Sequence, residues 1–214
     1  MLSPDAPCGR DDLLAQFGQI DIYIFDQLLR GRITPGMRLL DAGCGGGRNS
    51  QYLMGCGADV FGVDADPSQI DRIQAVAAQF APNLPASNFR VGQLTELPFP
   101  DGYFNAVVCS AVLHFAEDEP EFEDMVTEMW RILCSGGIFF ARLASTIGIE
   151  DQVRRLEHRR HRLPDGTDRF LVDEEYLARI TSRLGGELLD PIKTTIVQNL
   201  RAMTTWVLGK AGEG

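Results

Sequence analysis

Apolar and polar positions follow two distinct habits along this chain. Unbroken apolar runs at 37 to 42 (MRLLDA), 58 to 64 (ADVFGVD) and 138 to 145 (IFFARLAS) read as strands buried on both faces. NFRVG supplies a further short strand, and YFNAVVCSAVLHF another that ends near Ser110. Between these runs the period changes. Phe122, Met125, Val126, Met129 and Leu133 recur every three or four residues, which predicts an amphipathic helix with Gly136 and Gly137 as its stop. RNSQYLMGCG reads as a helix from Arg48, and Asp66-Pro67 as the N-cap and first position of another that reaches about Phe80. One or two helices are expected across 13 to 30, and DEEYLARITSRLGG predicts a last one with a glycine cap. ELLDPIKTTIV and NLRAMTTWVL read as two β segments joined by a tight turn near Gln198-Asn199. Strands alternating with helices define an α/β class with a doubly wound, mostly parallel sheet, here finished by an antiparallel hairpin.

Composition narrows the picture only slightly. At 214 residues the chain suits one domain. A net charge of −10 argues against binding to nucleic acid or to an anionic membrane surface. Residues 1 to 12 hold acids and prolines rather than the apolar centre of a leader, and no apolar run reaches membrane-spanning length. Five cysteines without paired spacing fit reduced thiols in a cytoplasm better than a disulfide framework or a zinc site, so no metal is expected.

The candidate chemistry begins at LLDAGCGGGRNSQYL, residues 39 to 53. A strand, a glycine turn and a helix start make a site where backbone can approach a ligand closely. A dinucleotide fingerprint needs glycine or alanine at the sixth place, and counting from Gly43 that place holds Arg48. The pattern that does fit is D-x-G-x-G-x-G, with Asp41, Gly43, Gly45 and Gly47. Asp64 closes the second strand about twenty residues on, where a carboxylate can take both hydroxyls of a ribose; the alternative is a plain surface acid.

LLDAGCGGGRN, VFGVDADPSQI, FRVGQLTELPFPDGYFNAVVCSAVLHF and MWRILCSGGIFFARL resemble, in order and spacing, the motifs of class I S-adenosylmethionine-dependent methyltransferases across 37 to 143. GRNSQYL is also similar to a stretch of the tellurite-resistance and thiopurine-type enzymes. The resemblance implies a seven-stranded sheet and S-adenosylmethionine as cofactor. It places Asp41 near the methionine end and Gly43, Gly45 and Gly47 beneath the cofactor, with Cys44 and Arg48 in the same turn. It also implies Asp64 on the ribose, Ala65 beside the adenine, Gln93 and Leu94 reading the adenine, and Ser110 near the methionine portion. Gln93 stands where many relatives carry Asp, and Asn105 where an Asp is commoner. The Asn105 change is expected to remove one buried charge. Cys44 is expected to pack rather than to act as a nucleophile.

Beyond the carboxyl ends of the strands an acceptor can be received. His114 could orient or deprotonate it, or be a hydrogen-bonded structural histidine. Arg142 could reach an anionic acceptor or pair with a local carboxylate, and Tyr23 is the candidate contact from an N-terminal cap. RRLEHRRHR, 154 to 162, has the spacing of a solvated charged helix; its sharper reading is an electropositive lid that steers an anionic acceptor. The expected organisation is one domain over 1 to 214. It comprises a cap at 1 to 36, a cofactor-binding core at 37 to 145, an insertion or lid at 146 to 172 and a C-terminal helix and hairpin at 173 to 214. The function expected is methyl transfer to a small-molecule acceptor. A nicotinamide-dependent oxidoreductase and a non-catalytic cofactor-binding regulator stay open, as does the choice between monomer and homodimer.

Overall fold

The structure, a computed structural model, describes residues 10–212; Cys8 and the rest of the first nine residues lie outside them. Two short helices, α1 (Arg10–Phe17) and α2 (Ile22–Leu29), precede the sheet. Then β1 (Arg38–Ala42), α3 (Gln51–Gly55), β2 (Asp59–Asp64), α4 (Pro67–Phe80) and β3 (Phe89–Val91) form the first wound half. The second half runs through β4 (Phe104–Ser110), α5 (Glu119–Ile132) and β5 (Leu133–Ser145). An insertion carries β6 (Arg154–Arg155), β7 (Arg160–Arg162) and β8 (Asp168–Phe170). The chain ends with α6 (Glu174–Leu184), β9 (Gly186–Leu188), β10 (Lys193–Val197) and β11 (Arg201–Lys210).

The sheet order is β10-β11-β5-β4-β1-β2-β3, with β9 added beside β11. β1 is parallel to both β2 and β4, and β4 to β5, whereas β11 runs antiparallel to β5 and β10. The seven-stranded sheet and its closing hairpin are therefore present, plus one short edge strand. The hairpin turns through residues 198 to 200, where Gln198 and Asn199 are both at positive φ (51° and 54°) and the Leu200 amide donates to the Val197 carbonyl at 2.9 Å. Winding reverses between β1 and β4, so a crevice opens at their carboxyl ends, where Ala42, Asp64 and Ser110 lie.

Helices cover both faces, as buried parallel strands require. Ile24, Leu53, Met54, Ile70 and Ile73 pack one side, from α2, α3 and α4. Phe122, Val126 and Met129 of α5 join Tyr176, Leu177 and Ile180 of α6 on the other. Asp66 caps α4 by accepting from the Ser68 amide at 2.8 Å, with Pro67 first in the helix, as its sequence position predicts.

Four expectations fail. The helix expected from Arg48 starts only at Gln51, because residues 48 to 50 turn. Gly136 and Gly137 do not stop α5, which ends at Ile132; they fall inside β5, where its register against β4 shifts. ELLDPIKTTIV is not one strand, because it breaks at Pro191, which has no amide hydrogen to give a ladder. Residues 154 to 162 are not helical but fold into a three-stranded antiparallel sheet with 168 to 170. There the helical spacing of the segment was outweighed by pairing to a third strand that local periodicity does not report.

Candidate functional site

The glycine turn is built by close packing. Gly43 and Gly47 have positive φ (73° and 82°), and a Cβ on them would stand 2.3 Å from Val112 and 2.7 Å from Ile73. No side chain fits at either position. Gly45 also has positive φ (50°), but its nearest neighbour would be 3.9 Å away, so there the backbone faces open space. Gly46, which the motif count passed over, is equally open on that side.

Four amides of the turn are already spoken for. Gly43 and Cys44 donate to the Val63 carbonyl (2.8 and 3.1 Å), and Gly47 donates to the Cys44 carbonyl (3.0 Å). Gly45 donates to Asp64 Oδ2 at 2.9 Å, while the Asp66 amide holds Oδ1 at 2.9 Å. A pyrophosphate resting on this turn would find these four donors occupied, so the cradle suits an uncharged ligand surface. Asp64 is meanwhile fixed facing the turn, and each of its oxygens keeps a lone pair for a ribose hydroxyl.

The cleft between them has a volume of about 730 Å³. Gly43, Cys44, Gly45, Arg48, Asp64, Ala65, Gln93, Leu94 and Ser110 all line it. Its charged lining is balanced, with Arg48 and Arg72 against Asp64 and Glu121. Asp41 and Gly47 are not on its surface. Asp41 is buried behind the turn, where Ser50 Oγ donates to it at 2.6 Å and ties β1 to the entry of α3. Burial pushes its carboxyl up to about 7, against the lowering influence of Ser50 and Arg48. Cys44 lies with its sulfur over Gly62, and burial raises its thiol so that it stays protonated. Asn105 is exposed, not a buried replacement, and its Oδ1 accepts from the Arg38 amide at 2.9 Å.

A second cavity of about 430 Å³ adjoins the first, and Ala111 and Phe115 line both. Ala111 sits at positive φ (66°), a costly conformation for a residue with a Cβ, held by its amide donating to the Arg142 carbonyl at 2.7 Å. His114 and Arg142 both open onto this second cavity. His114 is buried, its Nδ1 meets no protein partner, and burial together with Arg169 lowers its pKa to about 4. Arg142 pairs with Asp21 (Nη1 to Oδ2, 3.0 Å), while its buried Nε stays unpartnered. Tyr23 lines neither cavity; its hydroxyl lies 2.5 Å from Thr195 Oγ1 and its ring lies under the Arg142 guanidinium.

Sequence reasoning passed over Asp21. Its carboxylate caps α2 through the Tyr23 amide (2.9 Å) and also receives Ser110 Oγ (3.3 Å), and its own amide donates to Asn49 Oδ1 (3.1 Å). An acid directly before IYIF is a legible N-cap; its long-range partners are not. The insertion's arginine run is mostly neutralised nearby: Arg159 pairs with Asp173 (2.8 Å), Arg160 with Glu117 (3.2 Å), and Arg162 with Asp168. Its later residues Leu163, Asp165, Thr167 and Arg169 are the ones that wall the second cavity.

Residues 40–141 match the family model described as a methyltransferase domain. A methyltransferase of Synechocystis whose own function is uncharacterized is 36% identical over 108 residues, covering 50% of this chain and 47% of that protein. A sterol 24-C-methyltransferase of Gibberella zeae is 36% identical over 137 residues, covering 61% of this chain and 33% of that protein. Magnesium protoporphyrin IX methyltransferase from Synechocystis, solved with bound S-adenosylhomocysteine, superposes with a TM-score of 0.68 at 18% identity, covering 97% of this chain and 90% of that one. Residues 40–141 thus carry a methyltransferase domain, and the chain is similar in sequence and fold to S-adenosylmethionine-dependent methyltransferases. The matched stretch spans less than half the length of either curated relative.

Proposed function

We propose that this chain binds S-adenosylmethionine in the cleft of the glycine turn and transfers its methyl group to a small molecule in the adjoining cavity. The observation that carries the reading is the Asp64 carboxylate held toward Gly45 across a cleft in which four of the turn amides are satisfied within the protein. Such a cradle takes a ribose and a thioether chain better than a phosphate. When bound, the cofactor supplies a sulfonium methyl that an acceptor lone pair displaces in line, the C–S electron pair passing to sulfur.

The chain's residues have a limited task in such a reaction. Asp64 fixes the ribose, the open backbone of Gly45 and Gly46 admits the cofactor, and Gln93 and Leu94 border the adenine position. Ala111 and Phe115 form the seam across which the acceptor meets the methyl. Alignment of this kind can contribute on the order of 7–11 kcal/mol to the barrier reduction. His114, held neutral by burial and Arg169, is the group placed to hydrogen-bond an uncharged hydroxyl or amine of the acceptor. Free thiols at Cys44, Cys56, Cys109 and Cys134 support a reducing, cytoplasmic setting.

Calorimetry with S-adenosylhomocysteine and with NAD tests the cofactor assignment, with micromolar binding expected for the first alone. A radiolabelled methyl-transfer screen over thiols, amines, phenols and carboxylates tests the activity. Tight cofactor binding with no transfer across that panel would favour a regulatory protein.

A further inference from the structure

The second cavity has a charge pattern that methyl transfer itself does not require. Arg142, Arg169 and Arg201 line it, with Asp165 as its only carboxylate among the described residues. The arginines arrive from three separate elements: β5, β8 and β11. Arg142 is answered by Asp21 from outside the cavity. Among the described residues, Arg169 and Arg201 have no carboxylate within ion-pair distance. Asp165 lies within electrostatic reach of both, and its Oδ1 is taken by the Thr167 amide and hydroxyl (3.0 and 2.6 Å). Two arginines against one aspartate leave a surplus of one positive charge, in a protein whose net charge is −10.

Apart from His114 and Thr167, the rest of the lining is apolar. Phe115, Ala144, Leu163, Val197 and Met203 form the wall, and the Arg169 guanidinium stacks on Phe115 with its carbon 4.9 Å from the ring centre. Two residues of the lining each hold a buried polar atom without a partner: His114 Nδ1, on a residue only 8% exposed, and Arg142 Nε. Buried polar groups are ordinarily hydrogen-bonded, so two unpaired ones on the residues of one lining set this place apart.

We infer that the acceptor is a small monocarboxylate with an apolar body and a hydroxyl or amine. Its carboxylate lies between Arg169 and Arg201, and its uncharged polar group reaches His114 near the Ala111–Phe115 seam. This rests on the methyltransferase reading of the first cavity and specifies what the second one takes. A planar guanidinium suits a carboxylate because it can donate two parallel hydrogen bonds. A single surplus charge matches a monoanion better than a phosphate dianion.

The test uses the whole chain saturated with S-adenosylhomocysteine. 4-Hydroxybenzoate, 4-hydroxycinnamate and salicylate are titrated calorimetrically beside their methyl esters and beside phenyl phosphate. At least one acid is expected to bind tenfold or more tighter than its ester, and tighter than phenyl phosphate. Arg201→Gln and Arg169→Gln should each weaken that acid about tenfold while leaving S-adenosylhomocysteine affinity within twofold. Arg201 is exposed, so its variant keeps the fold even if the Arg169 variant does not. Equal binding of acid and ester, stronger binding of phenyl phosphate, no binding of any acid, or unaltered binding by Arg201→Gln would each overturn the inference. If S-adenosylhomocysteine itself fails to bind, the methyltransferase reading falls instead, and the same titrations on the bare protein still decide the carboxylate preference.

Discussion

Asp21 Oδ2 accepts from Arg142 Nη1 at 3.0 Å, joining the cap of α2 to the carboxyl-terminal part of β5. Ser110 Oγ meets the same oxygen at 3.3 Å, so one carboxylate anchors the N-terminal segment to the ends of two strands. Asp21 is 5% exposed, which makes the pair sensitive to loss of either partner. Asp21→Ala should destabilise the chain by about 3–5 kcal/mol, because it strands a partly buried arginine. In urea unfolding, the double variant Asp21→Ala/Arg142→Met should recover part of that loss. Full additivity of the two single changes would show that the residues do not act as a pair.

Asp64 is the most direct probe of the cofactor cleft. Replacing it by Asn turns one acceptor into a donor, which then opposes the amide of Gly45 or Asp66. S-adenosylhomocysteine affinity should fall by about 1.5–3 kcal/mol, the worth of hydrogen bonds to a charged group. Calorimetry with the variant checks this, and an unchanged Kd would remove Asp64 from the ribose site.

Gly43 and Gly45 share a left-handed backbone but differ in surroundings, which separates packing from ligand access. Gly43→Ala drives a Cβ to 2.3 Å from Val112, so overpacking of about 1–3 kcal/mol adds to the conformational cost. Gly45→Ala meets nothing closer than 3.9 Å and should lose only the conformational term, about 1–2 kcal/mol. Its larger effect should be on cofactor affinity, because the new methyl group enters the cleft. Denaturant midpoints and titrations of the two variants should rank in opposite orders.

Buried Asp41 makes stability depend on pH in an unusual direction. Its folded pKa stands at about 7, up from an ordinary 3.8. Between those values the unfolded chain has lost the proton while the folded chain keeps it. Stability from this group therefore falls as pH rises from about 4 to about 7, by at most about 1.4 kcal/mol per pH unit, and is level above. Asp41→Asn should flatten that slope in urea titrations between pH 4.5 and 7. An identical slope in both proteins would mean that Asp41 ionises normally.

His114 runs the other way. Burial and Arg169 take its pKa to about 4, so its neutral form is the folded one. Its contribution to stability is present above the ordinary value of 6.5 and is lost as pH falls toward 4. The Cε1 proton resonance of His114, assigned through His114→Gln, should not move between pH 7.5 and 5.5. A midpoint near 6.5 would show an exposed imidazole and remove it as the neutral group in the acceptor cavity.

Much of the core was legible in the residues themselves. The buried runs at 37 to 42 and 58 to 64, the Asp66-Pro67 cap and the turn at Gln198-Asn199 each carry a local physical cause, and each appears where expected. The convergence of Gly45 and Asp64 was readable because both lie at the carboxyl ends of adjacent parallel strands. What escaped depends on partners distant in sequence. Residues 154 to 162 become strands only through β8, and the roles of Asp21 and Arg201 are set by elements far along the chain. Gly43 and Gly47 were legible as necessary but not for the right reason, since Val112 and Ile73 cannot be seen pressing on them from the motif alone.

The seam at Ala111 and Phe115 divides labour between two parts of the chain. Everything on the cofactor side comes from residues 43 to 125, whereas Leu163, Asp165, Arg169, Arg201 and Met203 belong to the insertion and the closing hairpin. On the proposed function, substitutions in those later segments should retune which molecule is accepted while the lining of the first cavity stays intact. A chain arranged this way can explore new substrates one loop at a time.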